Sequence, residues 1–316
     1  MKIAEAKPVA DAVRAAVAAA VVGRDEARDL ILVGLVADGH ILLEDLPGLG
    51  KTLLARSFAG ALGLGFQRIQ FTADLLPHDI TGGDVFDARS GTFSFRQGPI
   101  FTNVLLADEI NRAPPKVQSA LLEAMQEYQV TSERSTYPLP RPFVVLATEN
   151  PLELEGTYPL PEAQVDRFLM RLAIGYPTAD EERQILERRR ARKVEEITVA
   201  PATSPEQFRD LQRAAEEVEL EPSIAGYLVD LVRATRGDVR AEVGSSPRGS
   251  LALQKLARAR ALLAGRDFVL PDDVKALAIP ALAHRITVKP EPWIRGVRGR
   301  DVVQTALERV AVPKVH

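Results

Sequence analysis

The residues that most directly indicate chemistry form a glycine-rich loop that ends in lysine and threonine. The run Glu44-Asp45-Leu46-Pro47-Gly48-Leu49-Gly50-Lys51-Thr52 follows an apolar segment and precedes a helical pattern. Glycines let backbone amides approach phosphate oxygens, and the amino end of a helix adds positive potential. The loop therefore predicts a nucleotide phosphate site, in which Lys51 reaches the β- and γ-phosphates and the Thr52 hydroxyl contacts Mg²⁺.

The loop departs from the pattern G-x-x-x-x-G-K-[ST] at its first position, where Asp45 replaces glycine. Aspartate tolerates unusual backbone geometry, but its charge would weaken nucleotide affinity if the carboxylate faced the phosphates. The alternative interpretation is a chance Gly-Lys-Thr turn. We disfavour it because acidic and polar residues follow downstream in the order that a nucleotide site requires.

An acidic pair, Asp108 and Glu109, follows the apolar run Val104–Leu106. Ligands bind at the carboxyl ends of parallel strands, so we expect this pair close to the loop. We assign Asp108 to Mg²⁺, directly or through water, and Glu109 to orienting and polarising the attacking water. The alternative is a pair of ordinary acids at a strand end.

Asn150 follows another predicted strand, Phe143–Ala147. Its amide is a neutral donor that could position the attacking water or the γ-phosphate. On its own, an asparagine before Pro151 would be a turn former.

Two arginines complete the candidate site. Arg167, between Asp166 and Phe168, fits an arginine finger that projects into a neighbouring subunit and contributes about 10³–10⁵ in rate; the alternative is a surface pair with Asp166. Arg248 stands in the first turn of a predicted helix capped by Ser246, where the helix dipole disfavours a cation. A bound phosphate would offset that placement, so we predict that Arg248 senses the nucleotide.

Composition excludes several other classes of site. The 316 residues suffice for about two domains, and the net charge of −3 argues against a basic nucleic-acid footprint over the whole surface. Without cysteine there is no disulfide scaffold, thiolate metal site or cysteine nucleophile. The four histidines are too dispersed for a local zinc motif.

The longest apolar run, 15–22, is too short for a membrane span and fits an amphipathic helix better than a signal peptide. We therefore expect a cytoplasmic protein.

The hydrophobic pattern predicts an α/β domain followed by a smaller helical domain. Short apolar runs that indicate buried parallel strands alternate with helical patterns up to about residue 175; they are Ile41–Leu43, Phe66–Phe71, Val104–Leu106, Phe143–Ala147 and Phe168–Ile174. Beyond Tyr176-Pro177 the pattern is helical, at about 179–193, 205–218, 222–236, 247–264, 271–284 and 299–311.

Two segments interrupt the alternation of strands and helices. Turn signals at Gly82-Gly83 and Ser90-Gly91 predict a β-hairpin within 72–100, inserted into a helix. The proline-rich segment 131–142 predicts an exposed hairpin or loop. The basic run 188–193 is flanked by glutamates, which favours a solvated helix face over a nucleic-acid patch.

Four stretches resemble the MoxR family of AAA+ ATPases: LLEDLPGLGKT, GPIFTNVLLADEINRAPPKVQSALLEAMQE, VLATENPLELEGTYPLPEAQVDRF and the tripeptide SPR. The resemblance covers about residues 20–265. It implies a P-loop αβα domain with a five-stranded, mainly parallel sheet of order 5-1-4-3-2 and an all-helical C-terminal lid. It divides the chain into a nucleotide-binding domain (1–175), a linker helix (176–200) and a lid (201–316). The hairpins at about 72–100 and 131–142 would be the helix-2 insert and the pre-sensor-1 hairpin.

The resemblance also implies roles for single residues. Asn150 corresponds to sensor 1, Arg167 to the arginine finger and Arg248 to sensor 2, acting in cis or in trans. Aspartate at the position of Asp45 occurs among family members, so we do not regard it as inactivating. The expected ATP or ADP contacts are Val22, Gly23 near the adenine, Pro47, Gly48, Leu49, Gly50, Lys51, Thr52 and Leu53.

The family implies a ring-shaped homo-oligomer, usually a hexamer, that acts like a chaperone on a client protein, often with a von Willebrand factor A-domain partner. An AAA+ nucleic-acid motor is the alternative, although the two inserts offer only Arg89, Arg96, Arg134 and Arg141. A GTPase lacks support because no Asn-Lys-x-Asp signature occurs. A small-molecule kinase would not need Glu109 to polarise water.

Overall fold

A computed structural model of the protein describes residues 1–89, 91–132, 135–151, 156–195 and 197–314, without the side chain of Asp87. Ser90, Arg134 and His316, which entered the sequence argument, lie outside the described residues. Within them no helix is both long and apolar enough to cross a membrane.

The described residues form eleven strands and thirteen α-helices. The strands are β1 (Ile41–Glu44), β2 (Phe66–Gln70), β3 (Gly82–Asp87), β4 (Thr92–Gln97), β5 (Val104–Asp108), β6 (Gln129–Thr131), β7 (Thr136–Pro138), β8 (Val144–Glu149), β9 (Met170–Leu172), β10 (Ala241–Val243) and β11 (Thr287–Val288). The helices are α1 (Ile3–Ala20), α2 (Asp25–Val36), α3 (Lys51–Ala61), α4 (Pro77–Thr81), α5 (Pro115–Glu127), α6 (Glu162–Val165), α7 (Ala179–Arg192), α8 (Pro205–Glu216), α9 (Pro222–Arg236), α10 (Pro247–Leu263), α11 (Pro271–Leu282), α12 (Pro290–Ile294) and α13 (Gly299–Arg309).

Five strands form one parallel sheet in the order β2-β5-β8-β1-β9. Numbered along the chain as core strands one to five, this is the order 5-1-4-3-2, so the predicted fold class is confirmed. Parallel pairing places the carboxyl ends of all five strands at one edge. In register, Glu44 lies opposite Glu149, and Gln70 lies opposite Asp108.

Helices cover both faces of this sheet, which explains the nearly continuous apolar strands. Leu43, Leu106 and Leu146 point to the face packed with α1, α2, α3, α8 and α10. On the opposite face, Leu105 and Val145 pack with α5. The predicted apolar stripe of α5 is buried there, and its Met125 is 1% exposed.

Two hairpins extend from the αβα core. In the first, β3 pairs with β4 directly after the short helix α4. In the second, β6 pairs with β7 after α5. The Phe95 ring stacks on Tyr137 with 3.9 Å between centroids, and Ser132 Oγ donates to Asp84 at 2.9 Å. The two hairpins therefore contact each other through an aromatic and a polar pair.

The C-terminal helices share one continuous apolar core with the sheet and α1. The segment predicted to be an all-helical lid, 201–316, also contains β10 and β11, which form a short antiparallel pair that this expectation did not include. Strands of two or three residues are too short for a recognisable alternation of side chains. Helix α7, which lies in the predicted linker 176–200 and is described throughout, has no buried side chain, as expected for its basic run.

His40, just before β1, links three elements of the core. Val145 N–H donates to its Nδ1 at 3.0 Å, so the ring proton is on Nε2, which donates to the Met125 carbonyl at 2.9 Å. Burial lowers the pKa of His40 to about 4, so the ring is neutral at pH 7. It therefore serves packing rather than proton transfer.

Replacing His40 with leucine should destabilise the protein by about 2–4 kcal/mol, because a buried amide and a buried carbonyl each lose their partner. Urea unfolding measures this free energy. The matched control His78→Leu, at a side chain that is 66% exposed, should change it by less than about 0.5 kcal/mol. Equal values for the two variants would contradict this role of His40.

Candidate nucleotide-binding site

The predicted phosphate loop connects β1 to α3 at the carboxyl edge of the sheet. Gly48 and Gly50 adopt φ of +81° and +83°, and apart from their chain neighbours no described atom lies within 4 Å of where a Cβ would stand. The N-cap of α3, Gly50, offers no side chain to its first amides. The loop therefore presents an open face of backbone donors, which suits phosphate oxygens.

Lys51 is the first residue of α3 and is only 8% exposed. Its Nζ donates to the Asp45 carbonyl at 2.7 Å. Burial lowers the pKa of Lys51, while the charges of Asp108, Asp45 and Glu109 oppose that shift. The ammonium thus lies within the electrostatic reach of the predicted metal ligand and the predicted water-orienting residue.

Asp108 ends β5 and is held from two sides. The Thr148 hydroxyl donates to its Oδ1 at 2.6 Å, and the Arg68 guanidinium donates to Oδ2 at 2.7 and 3.0 Å. Neither partner was identified from the sequence. Residues two apart in a strand point to the same face. The spacing of Arg68 and Gln70 along β2 could therefore have indicated two polar side chains on one face of the sheet.

Glu109 follows Asp108 and adopts the left-handed region, with φ of +58°. Its amide donates to the Thr148 hydroxyl at 2.8 Å, so one threonine contacts both acidic residues. Its Oε2 accepts a hydrogen bond from Gln70 at 2.8 Å and lies 3.4 Å from Arg112 Nε. The carboxylate therefore has a fixed position that a bound substrate would have to share or alter.

Asn150 directly follows β8, between the ends of β1 and β5 in the sheet. The Asp45 amide donates to the Glu149 carbonyl at 3.1 Å, which ties the phosphate loop to the residue before Asn150. The structure thus brings Lys51, Asp108 and Asn150 together at three adjacent strand ends, as the sequence predicted.

Arg167 and Arg248 lie elsewhere. The Leu169 amide donates to the His40 carbonyl, so the segment around Arg167 is level with the amino end of β1, opposite the phosphate loop. Arg248 Nη1 lies 3.7 Å from Asp166 Oδ2. The buried Arg285 also pairs with Asp166. Asp166 therefore brings Arg248 close to the segment that carries Arg167.

A cavity of about 640 Å³ extends from the phosphate loop. Of the predicted nucleotide contacts, it is lined by Val22, Pro47, Gly48, Leu49, Gly50 and Leu53. Gly23 lies beneath the Glu181 carboxylate, which would overlap a Cβ at that position. Sequence reasoning missed the contribution of α7, which lines the cavity with Glu182, Ile185, Arg188, Arg189 and Arg192.

Asp45 does not extend into the open side of the loop. It is 8% exposed, and its carboxylate accepts hydrogen bonds from three backbone amides, those of Leu46, Ile174 and Gly175. The replacement of glycine by aspartate thus adds a contact to the segment after β9.

The polar groups present fit a magnesium nucleotide. Among the described residues, no group of three or more histidine, aspartate or glutamate side chains could form a metal cage. Mg²⁺ usually binds through one or two protein groups together with substrate phosphates. Thr52 in the loop helix and Asp108 at the next-but-one strand end meet that description.

Glu149, at the end of β8, is an unusual acid. Burial raises its pKa to about 7, the like charge of Glu44 adds to the shift, and Arg171 opposes it. Arg171 itself lies 3.3 Å from Glu44. Glu149 is therefore mostly protonated at pH values below about 7.

Comparisons with known proteins agree with this architecture. Residues 40–170 match the family described as "ATPase family associated with various cellular activities (AAA)", and residues 233–306 match the AAA lid domain. YeaC, an uncharacterized protein of Bacillus subtilis (strain 168), is 47% identical over 92% of this chain and 91% of its own length. Chaperone MoxR1 of Mycobacterium tuberculosis is 42% identical over 94% of this chain and 80% of its own. A solved structure from Cytophaga hutchinsonii superposes with a TM-score of 0.92 at 40% identity, covering 98% of this chain and 96% of that one.

Glu149→Gln should become progressively more stable than the wild type as the pH rises. A carboxyl whose pKa is raised in the folded state stabilises it below the unfolded value of 4.5, and that contribution is lost as the pH rises to about 7. The difference should approach about 3 kcal/mol above pH 7. Urea unfolding at pH 5 and pH 8.5 measures it. Glu123→Gln, at an exposed site on α5, should show no such pH dependence.

Proposed function

This chain belongs to the MoxR family of AAA+ ATPases, and on that premise we propose that it hydrolyses Mg²⁺-bound ATP at the phosphate loop to remodel a client protein. The observation that carries the proposal is the meeting of a buried lysine, two carboxylates and an asparagine at three adjacent strand ends beside an open loop of backbone donors. Phosphoryl transfer depends on such positioning and charge neutralisation.

Each group at the loop has a task in hydrolysis. Lys51 exchanges its bond to the Asp45 carbonyl for β- and γ-phosphate oxygens. Thr52 and Asp108 would hold Mg²⁺, which would neutralise charge on the phosphates. Glu109 orients the attacking water, and the amide of Asn150 positions that water or the γ-phosphate. ADP and phosphate are the products.

The two arginines act on the nucleotide of a neighbouring subunit. The segment that carries Arg167 lies level with the amino end of β1, whereas the phosphate loop follows its carboxyl end. Arg248 contacts Asp166, the residue before Arg167, so both arginines belong to one surface. A ring assembled through that surface, in this family usually a hexamer, would bring them to the next subunit's phosphates. We therefore place Arg248 in trans.

A protein client suits the first hairpin better than a nucleic acid does. Phe86 and Phe93 pair across β3 and β4 with ring centroids 5.1 Å apart, and each is about half exposed. Exposed apolar groups favour protein contacts, whereas a nucleic-acid track needs many cations. The relative named Chaperone MoxR1 also supports a chaperone role. A von Willebrand factor A-domain partner and a cytoplasmic location remain part of this proposal.

Lys51→Ala should abolish nucleotide binding, whereas Glu109→Gln should bind ATP and slow hydrolysis by about 10²–10⁴-fold, because only the water-orienting group is lost. Titration with a fluorescent ATP analogue and a phosphate-release assay separate the two effects. Lys116→Ala, at an exposed site on α5, is the control. DNA-dependent stimulation of ATP hydrolysis at low salt would instead support the nucleic-acid motor.

Arg167→Ala should bind ATP normally yet lose about 10³-fold or more in hydrolysis. Mixing it with Lys51→Ala subunits should restore part of the rate, because each variant keeps the group that the other lacks. Arg213→Ala, at an exposed arginine on α8, should hydrolyse ATP like the wild type. Full hydrolysis by a monomeric preparation would contradict the assignment in trans.

A further inference from the structure

Asp45 replaces the glycine that opens the phosphate-loop pattern, and its side chain makes contacts that glycine cannot. The carboxylate accepts from Leu46 N–H at 2.9 Å, Ile174 N–H at 2.6 Å and Gly175 N–H at 2.7 Å. Hydrogen bonds from backbone amides to a carboxylate are among the stronger ones in proteins. They fix the side chain toward the segment after β9.

That segment connects β9 to α7 and is tied to a third part of the cavity wall. Arg24 Nε donates to the Gly175 carbonyl at 3.3 Å. The Arg24 amide in turn donates to Glu181 Oε1 at 3.3 Å, where Glu181 also caps the first turn of α7. The bonds thus run from the phosphate loop through Gly175 and Arg24 to α7.

Helix α7 has little else to hold it. It has no buried side chain, although five of its residues line the nucleotide cavity. Besides the cap at its amino end, Arg188 Nη1 donates to the carbonyls of Ala18 and Ala19 at 2.9 and 3.1 Å. Because no apolar face anchors α7, polar bonds from its amino end and from Arg188 decide where it lies over the cavity.

We propose that Asp45 is a positioning residue, which fixes the phosphate loop and the segment leading to α7 in the arrangement that accepts the nucleotide. Its carboxylate holds Ile174 and Gly175, and its carbonyl accepts the Lys51 hydrogen bond that phosphate oxygens would replace, so one residue lies between the phosphate-binding cation and the segment leading to α7. The inference rests on the proposed ATP site.

The direction of one effect separates this role from a simple effect of charge. A carboxylate that only added negative potential would repel the phosphates, and removing it would tighten nucleotide binding. A carboxylate that positions the wall has the opposite effect, since its removal frees α7 and weakens binding. If Asp45 only adds charge, both Asp45→Asn and Asp45→Gly should bind the nucleotide more tightly than the wild type. If Asp45 positions the wall, both variants should bind it more weakly.

The experiment measures binding of fluorescent ADP and tryptic cleavage after the exposed arginines of α7. Asp45→Gly should raise the ADP Kd about tenfold and speed cleavage within 183–192 several-fold. Asp45→Asn keeps one acceptor oxygen and should show a smaller change in the same direction. In hydrolysis, KM should rise while kcat stays within about threefold. Glu44→Gln removes the neighbouring charge, which pairs with Arg171 rather than with the linker, and should leave the cleavage rate unchanged.

Tighter ADP binding by either Asp45 variant, or unchanged cleavage of α7, would overturn the proposal. If Asp45→Gly does not fold, judged by circular dichroism, the isosteric Asp45→Asn gives the same two readouts. A wild-type protein that binds ADP but hydrolyses no ATP would refute the proposed function alone, because binding and cleavage do not require turnover.

Discussion

The parallel pairing of β1, β8 and β5 is the constraint on which the candidate site depends. Each strand is buried on both faces and ends at the same edge, so the polar residues that follow must meet there. Thr148 then joins two of these ends by contacting Asp108 and Glu109 together. A shift of one residue in the pairing of β8 would separate the three, since neighbouring residues of a strand point to opposite faces.

The sequence predicted the sheet and the phosphate edge because both depend on local patterns. Apolar runs marked all five core strands, and the Gly-Lys-Thr loop and the Asp-Glu pair marked two strand ends. Helices were also predictable, because capping residues and first-turn prolines mark where they begin. The structure shows those elements within a few residues of the predicted limits.

What the sequence did not predict depends on contacts between distant segments. Arg68 and Gln70 contact the acidic pair only because β2 lies beside β5. The strands β10 and β11 pair across more than forty residues. The side chain of Asp45 could have faced the phosphates or turned away, and only the position of Ile174 decides between them. Charge and spacing alone carry no information on such proximity.

The stacked rings of Phe95 and Tyr137 have a mechanical consequence. Their centroids lie 3.9 Å apart and their planes are nearly parallel, at 11°, so they join hairpins that belong to different stretches of the chain. The second hairpin continues directly from α5, which begins a few residues after Glu109. A force applied to the tip of the first hairpin is therefore shared with the second hairpin. Helix α5, about 20 Å long, connects the second hairpin back toward the segment that carries Glu109.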